Sequence, residues 1–267
     1  MSAYEFLSLE IEDPVAVITL NRPEKLNALT HPMIAEIHRA VDEAAGDRRV
    51  VGIILTGTGR GFCAGLDSQA LASITASKGA DREPVPDTDV PGLFTYFLDV
   101  PKPMIAAVNG VAAGGGLTMA MMCDVRFAST AASFTTVFLK RGLISEHGTS
   151  WSLPRMLGPG RALDLLWTSD RIDATRAHEI GFVEFLTEPE QLLAEARAYV
   201  QKIAENASPG TVADTKKLVY RHLGMGYADA LRDAESVQWQ AVARPDAAEG
   251  ARALLERRPA VFERLGS

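Results

Sequence analysis

Pro103-Met-Ile-Ala-Ala-Val-Asn-Gly-Val-Ala-Ala-Gly-Gly-Gly-Leu-Thr-Met-Ala-Met-Met-Cys-Asp-Val-Arg-Phe-Ala128 carries the pattern that decides the fold. Met104 to Val108 is an apolar run of strand length, and Val125 to Ala128 is a second; such runs read as strands covered on both faces. Between them, Gly114-Gly115-Gly116 opens an apolar helix that continues to Met122. Consecutive glycines inside a helix cost about 1 kcal/mol each against alanine, so something must require them. Close approach of a ligand to the main chain meets that requirement, and the helix N-terminus adds partial positive charge for an oxygen placed there. A dinucleotide site is the rival. It fails on spacing, which is not G-x-G-x-x-G, and on the lack of an acidic residue after a second strand.

The same order of elements extends upstream. Val50, Val51, Ile53, Ile54 and Leu55 form another buried strand, and Gly61-Phe-Cys-Ala-Gly-Leu-Asp67 leads from it to a helical segment, Gln69 to Thr75. Small residues at Ala64 and Gly65 let a ligand approach amides that lack an intrahelical partner. The plainer alternative is a tight turn capped by Asp67. Phe6 to Leu20 reads as a hairpin turning at Asp13-Pro14, and Thr30 starts a helix whose apolar face is Ile34, Ile37, Val41 and Ala45. Ser77 to Pro91 reads as a mobile surface loop near the site. Beyond Gly181 the strand signal fades into helical periodicity, with Leu231, Ala234, Val237 and Ala241 as its clearest apolar stripe.

Composition narrows the partners. A chain of 267 residues with 47% hydrophobic and 23% charged residues is that of a soluble globular protein. No apolar run is long enough to span a bilayer and no signal peptide is seen, so a cytoplasmic protein without a membrane partner is expected. The net charge of -7 argues against nucleic acid. Cys63 and Cys123 read as buried thiols, and no metal site is expected.

The pieces Asn21-Arg-Pro-Glu-Lys-Leu-Asn-Ala-Leu29, Gly61 to Asp67, Pro103 to Gly110, Gly114 to Gly116 with Cys123-Asp124, and Arg257-Arg-Pro-Ala-Val-Phe262 resemble the enoyl-CoA hydratase/isomerase (crotonase) family in order and spacing. The resemblance covers nearly the whole chain. It implies an α/β fold, a spiral of ββα repeats over residues 1–200, followed by a helical oligomerisation region over residues 201–267. It also implies a homotrimer or a dimer of trimers, an acyl-CoA thioester as substrate, and no cofactor beyond the coenzyme A that the substrate carries. In the family, backbone N–H groups at the positions matched to Ala64 and Gly115 hold the thioester oxygen while an enolate forms; each such donor contributes about 3 kcal/mol to lowering a barrier. By the same carry-over, Lys25, Leu26 and Ala28 lie along the coenzyme, with Lys25 near phosphate. Asp67 and Thr118 are candidates for contact with the acyl-CoA, Leu66 and Phe138 for the acyl pocket, and Arg258 and Phe262 reach the nucleotide, often from a neighbouring subunit. A solvated basic helix end is the alternative for Arg258. Phe62, Leu71 and Phe94 are further candidates for the acyl pocket.

The family's hydratases carry two glutamates, at positions occupied here by Thr118 and Phe138, neither of which moves a proton as a carboxylate does. One carboxylate remains, Glu146, in Gly142-Leu-Ile-Ser-Glu-His-Gly148, a segment similar to that of relatives that shift the double bond of an enoyl-CoA. Apolar neighbours such as Ile144 and Trp151 would desolvate it, as proton shuttling favours. The alternative is that Ser145 and Glu146 cap the following helix. His147 either tunes Glu146 or fills a place where relatives often carry glycine. The leading expectation is therefore a Glu146-dependent enoyl-CoA isomerase, with a hydratase and a catalytically silent acyl-CoA binding protein as alternatives.

Overall fold

The computed structural model describes residues 4–77 and 92–266; residues 78–91, most of the segment read as a loop, lie outside the described residues. The chain begins with the expected hairpin of β1 (Leu7–Glu12) and β2 (Val15–Leu20), paired antiparallel. Next comes α1 (His31–Gly46), where the Thr30 hydroxyl accepts the Met33 N–H and Pro32 fits the first turn.

The unit of strand, strand and helix then recurs three times. The first comprises β3 (Gly52–Gly57), β4 (Gly61–Cys63) and α2 (Ser68–Ala76); the second β5 (Met104–Val108), β6 (Val111–Ala113) and α3 (Gly115–Met122); the third β7 (Val125–Ser129), β8 (Ser133–Thr135) and α4 (Thr149–Leu157). The first strand of each unit adds in parallel to one sheet, ordered β1-β2-β3-β5-β7 and closed by β10 (Phe185–Thr187). The second strands stack into another sheet, β4-β6-β8, with β9 (Ile172–Asp173) at its edge. The chain thus winds as a spiral. Between its turns, α5 (Pro159–Thr168) and α6 (Ala174–Glu179) lead to β9 and β10, and α7 (Leu192–Asn206) follows.

Burial explains why β3 and β5 read as unbroken apolar runs. One face of the large sheet packs on α1 through Met33, Ile37, Ala40 and Val41, and the other packs on α7 through Leu192, Ala196 and Val200. All eight residues of α3 are buried, as expected for a helix that is apolar on every side. The division expected at residue 200 falls inside α7, which belongs to the core because it covers the sheet. The helical region starts after Ala207, with α8 (Pro209–His222), α9 (Tyr227–Val242) and α10 (Pro245–Glu256). Asp124 ties that region to the spiral: it accepts the Met104 N–H at 2.7 Å and the Tyr220 hydroxyl at 2.8 Å, and pairs with Lys216 at 2.8 Å. Both cysteines are buried free thiols, and burial pushes Cys63 up to about 12.

Candidate active site

Two strand-to-helix junctions meet edge to edge. Gly65 adopts φ +90, and a Cβ there would fall 2.7 Å from the Ala113 carbonyl and 3.2 Å from the Gly115 nitrogen. A Cβ at Gly116 would fall 2.0 Å from the Cys63 carbonyl. The glycines are needed because the two turns touch main chain to main chain.

This contact decides which amides are free. The Ala64 N–H, expected to be one of the two donors, instead donates to the Leu26 carbonyl at 3.0 Å and does not border the cavity. The correction follows from pairing: residues 26–29 run beside residues 64–67, so Ala64 and Asp67 donate to Leu26 and Leu29, and Leu29 donates to Gly65. Leu66 is left over. Its N–H and that of Gly115, in the first turn of α3, have no acceptor among the described residues, and both residues border one cavity. Leu71, Leu93, Phe138 and Leu143 supply its apolar wall, and Arg141, Glu146 and His147 its polar side.

Glu146 and His147 are each about one-third exposed, at 32% and 30%, with His147 Nε2 at 3.7 Å from Glu146 Oε2. The Glu146 side chain does not cap α4; its carbonyl does the holding, accepting the Thr149 N–H at 3.0 Å and the Thr149 hydroxyl. Ile144 is 78% exposed and Trp151 borders a different cavity, so neither encloses the carboxylate as expected. His147 takes φ +52, and burial pulls its imidazole below the usual histidine range, with Glu146 opposing the shift. On the far side of Leu143 lies a larger apolar cavity of about 430 Å³, walled by α4 and α5.

The remaining expected residues fall in three places. Leu66 and Phe138 border the cavity. Thr118 does not: it is fully buried and its hydroxyl donates to the Gly114 carbonyl at 3.2 Å, within its own helix. Phe62 and Phe94 are also core residues rather than cavity wall. Lys25 is exposed on the short turn before Leu26, while the carbonyls of Leu26 and Ala28 are taken by Ala64 and Arg22. Asp67 caps α2 through the Gln69 N–H and pairs with Arg22 at 3.5 Å. Arg258 binds Glu249 and Glu256, and Phe262 lies over Gly250; within one chain neither reaches the cavity. Sequence reading missed Leu93, Arg141 and Leu143, whose place depends on how the turns pack.

Paired unpartnered amides beside a carboxylate define a class of site that stabilises an oxygen as it gains negative charge while a proton moves nearby. The enoyl-CoA hydratase/isomerase family model matches residues 10–265. A probable enoyl-CoA hydratase of Rhizobium meliloti is 36% identical over 98% of this chain and 99% of its own length. The 1,2-epoxyphenylacetyl-CoA isomerase of Escherichia coli is 34% identical over 77% of this chain and 79% of its own. Among solved structures, an enoyl-CoA hydratase subunit of Geobacillus kaustophilus superposes with a TM-score of 0.87 at 32% identity, over 98% of this chain and 99% of that one. The chain belongs to the enoyl-CoA hydratase/isomerase family, with the crotonase fold, and is an acyl-CoA enzyme.

Proposed function

We propose that the protein moves the double bond of an enoyl-CoA from the 3,4 to the 2,3 position, with Glu146 as proton carrier. The carboxylate takes a proton from C2, charge flows to the thioester oxygen between the Leu66 and Gly115 amides, and the same proton returns at C4. What supports this reading is one juxtaposition: Glu146 borders the same cavity as Leu66 and Gly115, whose N–H groups are unpartnered, and it is the only carboxylate among the described residues bordering it. The proton shift draws on no cofactor beyond the coenzyme A of the substrate. The acyl chain extends past Leu143 into the neighbouring apolar cavity, and Lys25, with Arg258 and Phe262 from an adjacent copy, holds the nucleotide in a homotrimer or dimer of trimers.

Glu146→Gln tests the reading, since the amide keeps the shape and loses the basic oxygen. Conversion of 3-hexenoyl-CoA to the 2-enoyl product is expected to fall by roughly 10²-fold or more. Turnover within threefold of the unaltered protein would remove Glu146 from the reaction.

A further inference from the structure

A single residue, Gly158, joins α4 to α5, and its φ of +78 lets it cap both helices. A link shorter than the roughly two to five residues of a helical hairpin cannot lay two helices side by side. They meet at a corner instead, and the apolar cavity of about 430 Å³ fills the wedge between them. Pro154 and Pro159 stand beside that corner, and Leu163 and Trp167 follow Pro159 at one-turn intervals, so the α5 wall runs about 12 Å. Trp167 at its outer end is 66% exposed, so the wedge is open there. Among the described residues that border it, Ser145 and Ser150 alone have polar side chains and none is charged. Leu143 borders both this wedge and the cavity of Glu146, so a group tethered to a thioester there can reach it.

Size and shape decide what fits. One benzene fills an engineered apolar cavity of ~150 Å³, so the wedge has room for about three such rings. A straight polymethylene chain covers one wall and leaves the facing one wet, whereas a fused-ring unit touches both and has few rotors to freeze. We infer that the acyl group of the substrate carries a fused-ring hydrocarbon unit of about two or three rings, seated between α4 and α5 and tethered through a short chain past Leu143. The inference deepens the reading above, on which it rests for the position of the thioester. Leu163 is the residue that selects the ring unit: it stands midway along the α5 wall, one turn from Pro159 and one from Trp167, so its bulk sets the width of the wedge. A charged acyl group is excluded there, since no charged side chain among the described residues borders the wedge to offset its desolvation.

Saturated thioesters, which have no double bond to move, separate this inference from the isomerase reading. Isothermal titration calorimetry on the full-length protein compares 5-(decalin-2-yl)pentanoyl-CoA with pentadecanoyl-CoA, equal in acyl carbons, and with hexanoyl-CoA. The ring-bearing thioester is expected to bind roughly tenfold or more tightly than its straight-chain counterpart. Leu163→Trp should weaken it roughly tenfold or more and leave hexanoyl-CoA within about threefold, which also reports a sound fold. Straight-chain binding as tight as ring-bearing binding, or equal losses on all three thioesters in the variant, overturns the inference. So does a fall in the sedimentation mass of Leu163→Trp with ring binding unchanged, which would assign the wedge to a neighbouring copy. Should 3-hexenoyl-CoA fail to isomerise in the unaltered protein while the ring preference holds, the reaction falls and the acyl site stands.

Discussion

Ala64 and Leu66 stand two residues apart, yet only the second borders the cavity with its amide unpartnered. The sequence shows that small residues gather at 64 and 65; it does not show that residues 26–29 pair alongside and take the Ala64 and Asp67 donors. That register is a long-range fact, so the close-approach loop was legible and the particular unpartnered amide was not. Gly65 is where the loop is least replaceable, because φ +90 and the 2.7 Å approach to Ala113 coincide. Gly65→Ala is expected to cost about 1–3 kcal/mol in urea unfolding and to depress turnover, since the two junctions must part. Gly160→Ala, where a Cβ meets nothing within 4 Å, is the control and should leave stability unchanged or slightly raised. His147 sets a pH dependence at the same scale. Among the described residues, the other charged side chains bordering its cavity are Glu146 and Arg141, while α2 and the Leu93 segment bring leucines. The unfolded chain takes up a proton near 6.5 but the folded protein only at lower pH, so the group's contribution to stability is complete above 6.5 and is lost as pH falls below it. His147→Gln should remove that part of the acid-side loss, read by urea unfolding at about pH 7 and about pH 5.

The elements of the spiral were legible because each is locally consistent: glycine-bearing turns, β-branched runs, a capped α1. The stretch between Asn21 and Leu29 was not, since its role lies in what it clamps. Asn27 is fully buried with φ +56; its side chain accepts the Arg22 N–H at 2.7 Å and donates to the Thr58 and Gly61 carbonyls at 3.0 and 2.8 Å. It stitches the Arg22 turn to the strand that feeds the Leu66 loop. Asn27→Ala would strand these groups, and a loss of about 2–4 kcal/mol is expected by urea unfolding, with activity falling as the loop loosens. The turn from Phe138 to Gly148 divides two cavities, and Leu143 borders both. If the acyl chain passes that residue, Leu143→Trp should lower kcat/KM for a decenoyl thioester at least tenfold more than for a four-carbon one. Equal effects on the two chain lengths would place the chain elsewhere.

Across the whole molecule, the spiral buries its apolar surface within one chain and the helical region does not. No residue of α9 is buried, and α8 and α10 bury only Pro209 and Ala253. The stripe Leu231, Ala234, Val237 and Ala241, read from sequence as packing or subunit contact, is only partly covered within the chain: the last three are half-buried and Leu231 is 52% exposed, while Trp239, Leu254 and Leu255 nearby in sequence are 62%, 79% and 84% exposed. Apolar surface on this scale is of the kind that a contact with another chain would cover. Helical periodicity identifies such a face but is silent on whether the covering partner is the same chain or a copy, which is why the sequence alone left the choice open. Two observations favour a copy: Arg258 and Phe262, which the family resemblance assigns to the nucleotide, do not border the cavity of their own chain, and the exposed helices lie in the same region. Sedimentation equilibrium should therefore give three or six times the chain mass of 28.7 kDa. The double substitution Trp239→Glu and Leu255→Glu should shift that mass toward the monomer and raise KM for acyl-CoA more than it lowers kcat, because the nucleotide contacts would leave with the neighbour. A monomer in the unaltered protein, with KM insensitive to these substitutions, would mean that each chain binds its substrate alone.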